Sequence, residues 1–337
     1  MAPDRPDVPP EAETVWQRPP RPARADGTER RVGVEIEFAG VTEAEAVAIV
    51  RELWGGAETG GARYRHKVAG TKIGDVKVEL DTALAEGAKG PVDTTLLDLS
   101  RALVPVEIVT PPIALADLPE IDRLVARLGA AGAAGSRDGA LYAFGLHLNP
   151  EVAVETADHI VAVTRAYGLL EDWLRASDPP DPSRRVLPFV DPWPRAFVDR
   201  LAGEAADWAL GDLREAYLRD VGSRNHGLDL LPLIEHLFPG SVDAALGQGT
   251  AKGGRPAWHF RLPESGIGRA GWSVAHEWNR WVLVEDVAEA PGLLRALAEG
   301  WQEHRSSLTT VRPDWARQAD RIMREADIWR TADPASE

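Results

Sequence analysis

The chain contains no cysteine. Disulfides, thiolate zinc sites, iron–sulfur clusters and cysteine nucleophiles are thereby excluded. A reducing cytoplasm is the expected compartment. Cations are also scarce: 38 lysines and arginines stand against 53 aspartates and glutamates, a formal charge of −15. A field of that sign repels polyanions, so no nucleic-acid partner is expected, although a local site can still hold a nucleotide phosphate. No apolar run approaches the ~20 residues of a membrane span, so no membrane partner is expected either. The first 22 residues hold seven prolines and no apolar h-region. Residues 1–29 therefore read as a disordered, polyproline-biased tail and not as a signal peptide. Gly-x-Ser-x-Gly, His-Glu-x-x-His and Rossmann fingerprints are absent.

What is present is a set of strands with one apolar and one chemically active face. Arg31–Phe38 (RVGVEIEF) alternates at period two, with Val34, Ile36 and Phe38 on one side and Glu35 and Glu37 on the other. Carboxylates two apart on a strand lie roughly 6–7 Å from each other on one face. Buried without a partner they would cost several kcal/mol each. The pair is thus either solvated or neutralised by a cation. In Val76–Asp81, Lys77, Glu79 and Asp81 share the polar side. Glu107 interrupts the apolar run 104–109, His147 and Asn149 lie two apart, and His259 and Arg261 flank Phe260. A solvated sheet face is the plain alternative for any one strand. Together, carboxylates, imidazole and arginine suit Mg²⁺ or Mn²⁺ and phosphate.

The remaining pattern predicts one α+β domain over 30–330 with a partly antiparallel sheet and a helical insertion near 178–250. Thr42 with Glu45 forms a capping-box pattern before a helix that ends at Gly55-Gly56. Hairpin strands are expected at 62–69 and 76–80, and further strands at 104–110, 141–148 and 257–262. Asn149-Pro150 is expected to stop the strand at 141–148. Helices are expected at 118–128, 155–176, 195–220, 230–238, 274–289 and 292–327. Gly247–Gly254 lacks P-loop spacing and reads as a linker. His159, His236, His276 and His304 fall in helical patterns and read as structural. Arg184 and Arg185 are substrate-carboxylate candidates or plain surface arginines. Arg63, Arg65 and Lys67 read as a solvated strand face.

Five ordered motifs carry a family resemblance: Gly33-Val34-Glu35-Ile36-Glu37, Val78-Glu79-Leu80-Asp81, Val106-Glu107-Ile108-Val109-Thr110-Pro111-Pro112, Gly145-Leu146-His147-Leu148-Asn149-Pro150 and His259-Phe260-Arg261-Leu262-Pro263. With Arg224–Pro232 before the last of them, the set resembles the amidoligase family, of the carboxylate–amine ligase superfamily of glutamine synthetase and glutamate–cysteine ligase, over roughly residues 30–290. The resemblance implies an antiparallel sheet curved into a half-barrel, with ATP and Mg²⁺ (or Mn²⁺) in its mouth. It implies ATP-dependent amide or isopeptide formation through an acyl phosphate, between small-molecule or peptide carboxylate and amine substrates. Glu35 and Glu37 would then ligate different metals. Glu107 with Asp81 would complete one site, and His147 would join the second. Arg261 would hold the transferring phosphate, and Lys77 and Asn225 join it as nucleotide contacts. Glu79 or Asp81 would accept the ammonium proton. His259 stands where better-known relatives have Glu, with one negative charge fewer. The rival readings are a guanidino-kinase-like phosphotransferase, a metal-dependent hydrolase, and a non-catalytic interaction protein with a decayed site.

Overall fold

The computed structural model describes residues 15–62, 64–80, 105–136, 144–178, 190–308 and 310–328. Asp81, Arg63, Arg184 and Arg185, together with residues 1–14 and 141–143, lie outside these. The strands are β1 (Arg31–Phe38), β2 (Ala57–Ala62), β3 (Arg65–Thr71), β4 (Gly74–Leu80), β5 (Val106–Val109), β6 (Ile113–Ala114), β7 (Leu146–Pro150), β8 (Leu228–Asp229) and β9 (His259–Phe260). They form one open antiparallel sheet in the order β2-β3-β4-β5-β1-β7-β9-β8, with β6 pairing the start of β1.

Among the described residues ten α-helices accompany the sheet: α1 (Glu43–Trp54), α2 (Pro119–Ala130), α3 (Ala157–Ser177), α4 (Arg195–Gly203), α5 (Leu210–Asp220), α6 (Leu231–Leu237), α7 (Ser241–Leu246), α8 (Val274–Ala288), α9 (Pro291–Ser306) and α10 (Arg312–Glu325). The Thr42–Glu45 capping box forms in both directions. α1 packs on β3 and β4, α2 lies against α1, and α3 packs with α8 and α10. The apolar strand faces supply the core: Val32, Val34, Ile36, Phe38, Val76, Val78, Ile108, Leu146, Leu148 and Phe260 are all buried. Each such side chain contributes about 1.5–3 kcal/mol by leaving water. Trp278 and Trp281 are buried on α8.

Several expectations change. Ala57–Ala62 is a strand although AETGGA has no apolar alternation; it is held by its pairing with β3. The reversal between them passes through Tyr64, whose φ of 73° is left-handed. Asn149 and Pro150 do not stop β7 but belong to it, paired with Gly33 and Val32. Pro150 is the strand's last residue, and its carbonyl accepts from the Trp258 N–H at 2.9 Å. The expected helix 195–220 is two helices, and 292–327 divides into α9 and α10 before Pro313. The last predicted strand shrinks to His259–Phe260, and Leu228–Asp229 adds an edge strand.

Residues 15–21, counted with the proline-biased tail from sequence, lie along α8, and Arg21 meets Glu289 just past its end. Trp278 Nε1 donates to the Gln17 carbonyl at 2.8 Å, and Asn279 exchanges hydrogen bonds with Gln17 and Val15. Arg30 then anchors the start of β1 through two 2.7 Å hydrogen bonds to buried Glu285 on α8. No helix among the described residues is long and apolar enough to cross a membrane.

Candidate active site

Strand register turns the polar side chains into rows. Glu79 on β4 faces Glu107 on β5, and Glu107 faces Glu37 on β1. Three carboxylates therefore stand side by side across three strands, a spacing of about 4.5–5.5 Å between neighbouring Cβ atoms. Arg65 on β3 closes the row, 3.6 Å from Glu79. One pleat along, Lys77 and Glu35 flank Val109, and Glu35 faces His147 on β7. The next row runs from Gly33 to Asn149. His259 faces Asp229 across β9 and β8.

Two donor groups emerge. Glu35, His147 and His259 each place one ligand atom within 4.8 Å of the others, and so do Glu37, Glu107 and His147. His147 belongs to both. Its Nδ1 lies 3.0 Å from Oε2 of Glu35, whose other oxygen accepts from Asn149 Nδ2 at 2.9 Å. Burial alone would raise the Glu35 carboxyl. The hydrogen bonds from His147 and the Asn149 amide, with the His259 imidazole nearby, outweigh it and hold Glu35 well below the usual carboxylate range. An ionised Glu35 can only accept, so the proton sits on Nδ1 of His147, leaving Nε2 for the Glu37 side. A Cβ built on Gly145 would fall 2.7 Å from that Nε2 and 3.5 Å from Oε2 of Glu37. Any larger residue at position 145 would displace the imidazole from where it meets Glu37. The Gly145 N–H also donates to Oε2 of Glu37 at 2.7 Å.

His259 is oriented from behind. Its Nδ1 lies 3.1 Å from Oδ2 of Asp229, which is wholly buried. Burial depresses His259, more than the neighbouring Asp229 and Glu35 raise it, so its imidazole is neutral near pH 7. For Asp229, burial raises the pKa, but the His259 contact, the Arg224 charge and the Leu231 N–H hold it below the usual range. An ionised carboxylate behind Nδ1 fixes the tautomer that exposes Nε2, the arrangement of carboxylate-backed metal-ligating histidines. Arg224 Nε contacts the same Oδ2 at 3.2 Å.

The other expected residues fall as follows. Arg261, just past β9, gives one terminal nitrogen to the Arg224 carbonyl, and its buried Nε has no hydrogen-bond partner among the described residues. Its backbone N–H reaches the Gly227 carbonyl at 2.8 Å. A Cβ at Gly227 would meet the Tyr167 hydroxyl at 2.4 Å, so glycine permits that close approach. Lys77 is exposed on β4 and in the Glu35 row; Glu79 is half-buried. Asn225 is exposed beside Arg224, with its N–H on Ser223 Oγ. His226 is buried with Nδ1 on the Asp191 carbonyl, a loop-holding role.

Asp229 was given no role from sequence: it sits within an apolar LDLL run and meets His259 only through pairing of two-residue strands. Of the helical histidines, His304 packs between Trp301 and Trp315, and His236 meets Glu155 at 3.1 Å. His276 lies near Asp178 and Glu277, a third donor group where the end of α3 meets the start of α8.

A family model described as "Putative amidoligase enzyme" matches residues 28–283, well over half the chain. The chain belongs to the amidoligase family. Membership suggests a ligase that forms amide bonds, and every donor named above lies inside the matched span. No curated protein and no solved structure matched the chain.

Proposed function

We propose that this amidoligase-family protein is an ATP- and Mg²⁺-dependent carboxylate–amine ligase working on the glutamine synthetase plan. The observation that carries the reading is the pair of donor groups sharing His147 on one face of the sheet. Carboxylate oxygens with one or two imidazole nitrogens suit Mg²⁺ or Mn²⁺. The neutral His259, with Asp229 behind it, supplies a lone pair and no competing charge. Glu37, Glu107 and Nε2 of His147 would hold one ion, and Glu35 with His259 the other. Bound there, such ions neutralise charge on transferring phosphoryl oxygens.

The chain's own groups define the rest. The γ-phosphoryl group passes from ATP to a substrate carboxylate oxygen, forming an acyl phosphate and releasing ADP. The amine then attacks the carbonyl carbon, the C–O bond to phosphate breaks, and the amide forms. Arg261, whose Nε has no partner among the described residues, is the cation that meets the transferring group. Glu79, half-buried in the carboxylate row, receives the ammonium proton. Lys77 and Asn225, both exposed, are nucleotide contacts. No nucleophilic side chain is required.

Trapping with hydroxylamine tests this. With ATP, Mg²⁺ and a panel of small carboxylates, the wild-type protein is expected to give hydroxamate and ADP in equal amounts. ADP without hydroxamate would favour a kinase or ATPase. No Mg²⁺-dependent nucleotide binding at millimolar concentration would leave a non-catalytic interaction protein.

A further inference from the structure

A small cavity of about 100 Å³ opens beside Glu35, lined by Asn149, Arg224, Arg255, Trp258 and His259 among others. A space of that size suits a small polar group such as a carboxylate or a phosphate group. Its charged walls are two arginines and one carboxylate, and that carboxylate is already answered by His147 and Asn149.

The arginines are differently placed. Arg224 spends Nε on buried Asp229, which fixes the guanidinium plane, and among the described residues its two terminal nitrogens have no hydrogen-bond partner. The Arg255 backbone is tied to the Pro232 carbonyl at 3.0 Å, while its exposed guanidinium makes no ion pair or hydrogen bond among the described residues. Two unspent guanidinium forks therefore border one space of oxyanion size. Such forks match carboxylate and phosphate oxygens in paired hydrogen bonds.

We propose that this cavity is an oxyanion subsite in which Arg224 and Arg255 clamp the reacting end of a substrate beside Glu35 and His259. The proposal rests on the ligase reading and deepens it. The shared chemistry is a small oxyanion, which two sources supply: the carboxylate to be activated, or the terminal phosphoryl group of the nucleotide. In either case the body of the substrate lies outside, past the exposed Arg255.

The test titrates the full-length protein with acetate and, separately, with inorganic phosphate, each with and without Mg²⁺. Thermal shift and tryptophan fluorescence report, the latter because Trp258 lines the cavity. Saturable binding is expected for at least one probe. Arg255→Gln should weaken it about tenfold or more without lowering the unliganded melting temperature. Arg224→Lys, which keeps the charge and loses the fork, should weaken it as well. Acetate as the tighter probe identifies the substrate carboxylate; phosphate as the tighter probe identifies the phosphoryl group. Failure of both probes to saturate, or wild-type binding by both variants, overturns the subsite. Loss of probe binding in Arg255→Gln together with absence of hydroxamate in the wild type would uphold the subsite and remove the ligase reading.

Discussion

Glu285 and Glu35 are both carboxylates withdrawn from water, and the fold treats them differently. Glu285 meets the Arg30 guanidinium through two 2.7 Å hydrogen bonds, and Trp281 Nε1 donates to it at 2.7 Å. Arg30 also donates to the carbonyls of Glu151 and Arg21. Both members of that pair are 1% exposed. Glu35 has an imidazole and an amide in place of a guanidinium, and a crowd of carboxylates one pleat away. The first arrangement is finished and joins two parts of the chain. The second keeps lone pairs and donors available, as a site for an incoming cation requires.

The largest expected effect lies at the finished pair. Arg30→Met strands a buried carboxylate and should cost about 3–5 kcal/mol, read as a fall in the denaturant midpoint. Adding Glu285→Leu should recover much of it. At the open face the expected loss is functional. Glu35→Gln or Glu37→Gln should lower hydroxamate formation by about 10²–10³-fold, with cooperative unfolding retained. Unfolding of both variants would place the pair with Glu285 as structural. Asp229→Asn should weaken Mn²⁺ binding about 10–100-fold, measured by calorimetry, because His259 loses the carboxylate that orients it.

Asp286 sharpens the comparison on the finished side. Burial, with a smaller push from neighbouring Glu285, raises it from 3.8 to about 6. Below about pH 4 the folded and unfolded states are both protonated and nothing is lost. Above about pH 6 the folded state carries the whole cost of the charge. Asp286→Asn should therefore stabilise the protein at pH 7 by roughly 1–2 kcal/mol, given partial solvent screening, and the gain should vanish as pH falls from 6 to 4. The smallest effect belongs to the carboxylate row. Glu107→Gln relieves like charges on both neighbours and should raise metal-free stability by about 0.2–1 kcal/mol while lowering stability in Mn²⁺.

Much of this was legible before the fold was known. Alternation in RVGVEIEF places Glu35 and Glu37 on the face opposite Val34 and Ile36, and the structure keeps them there. The Thr42–Glu45 cap, with local partners three residues apart, was equally plain. β2 was not, because AETGGA has no periodicity and takes its conformation from β3. The two-residue strands β8 and β9 are too short for any pattern, so the Asp229–His259 contact and the arginine-lined cavity had no local signal.

By itself, the sequence decided which side chains can share a face, because side-chain direction alternates along a strand whatever its neighbours are. It also decided that thiolate can be no part of a metal site here, since no thiol exists in the chain. Only the tertiary structure decided which faces meet: that Glu79, Glu107 and Glu37 fall in one row, and that His147 lies between Glu35 and Glu37. That depends on register between strands up to about a hundred residues apart in the chain. Register is set by burial of the opposite, apolar face, where a slip of one residue would turn every valine to water and every carboxylate into the core.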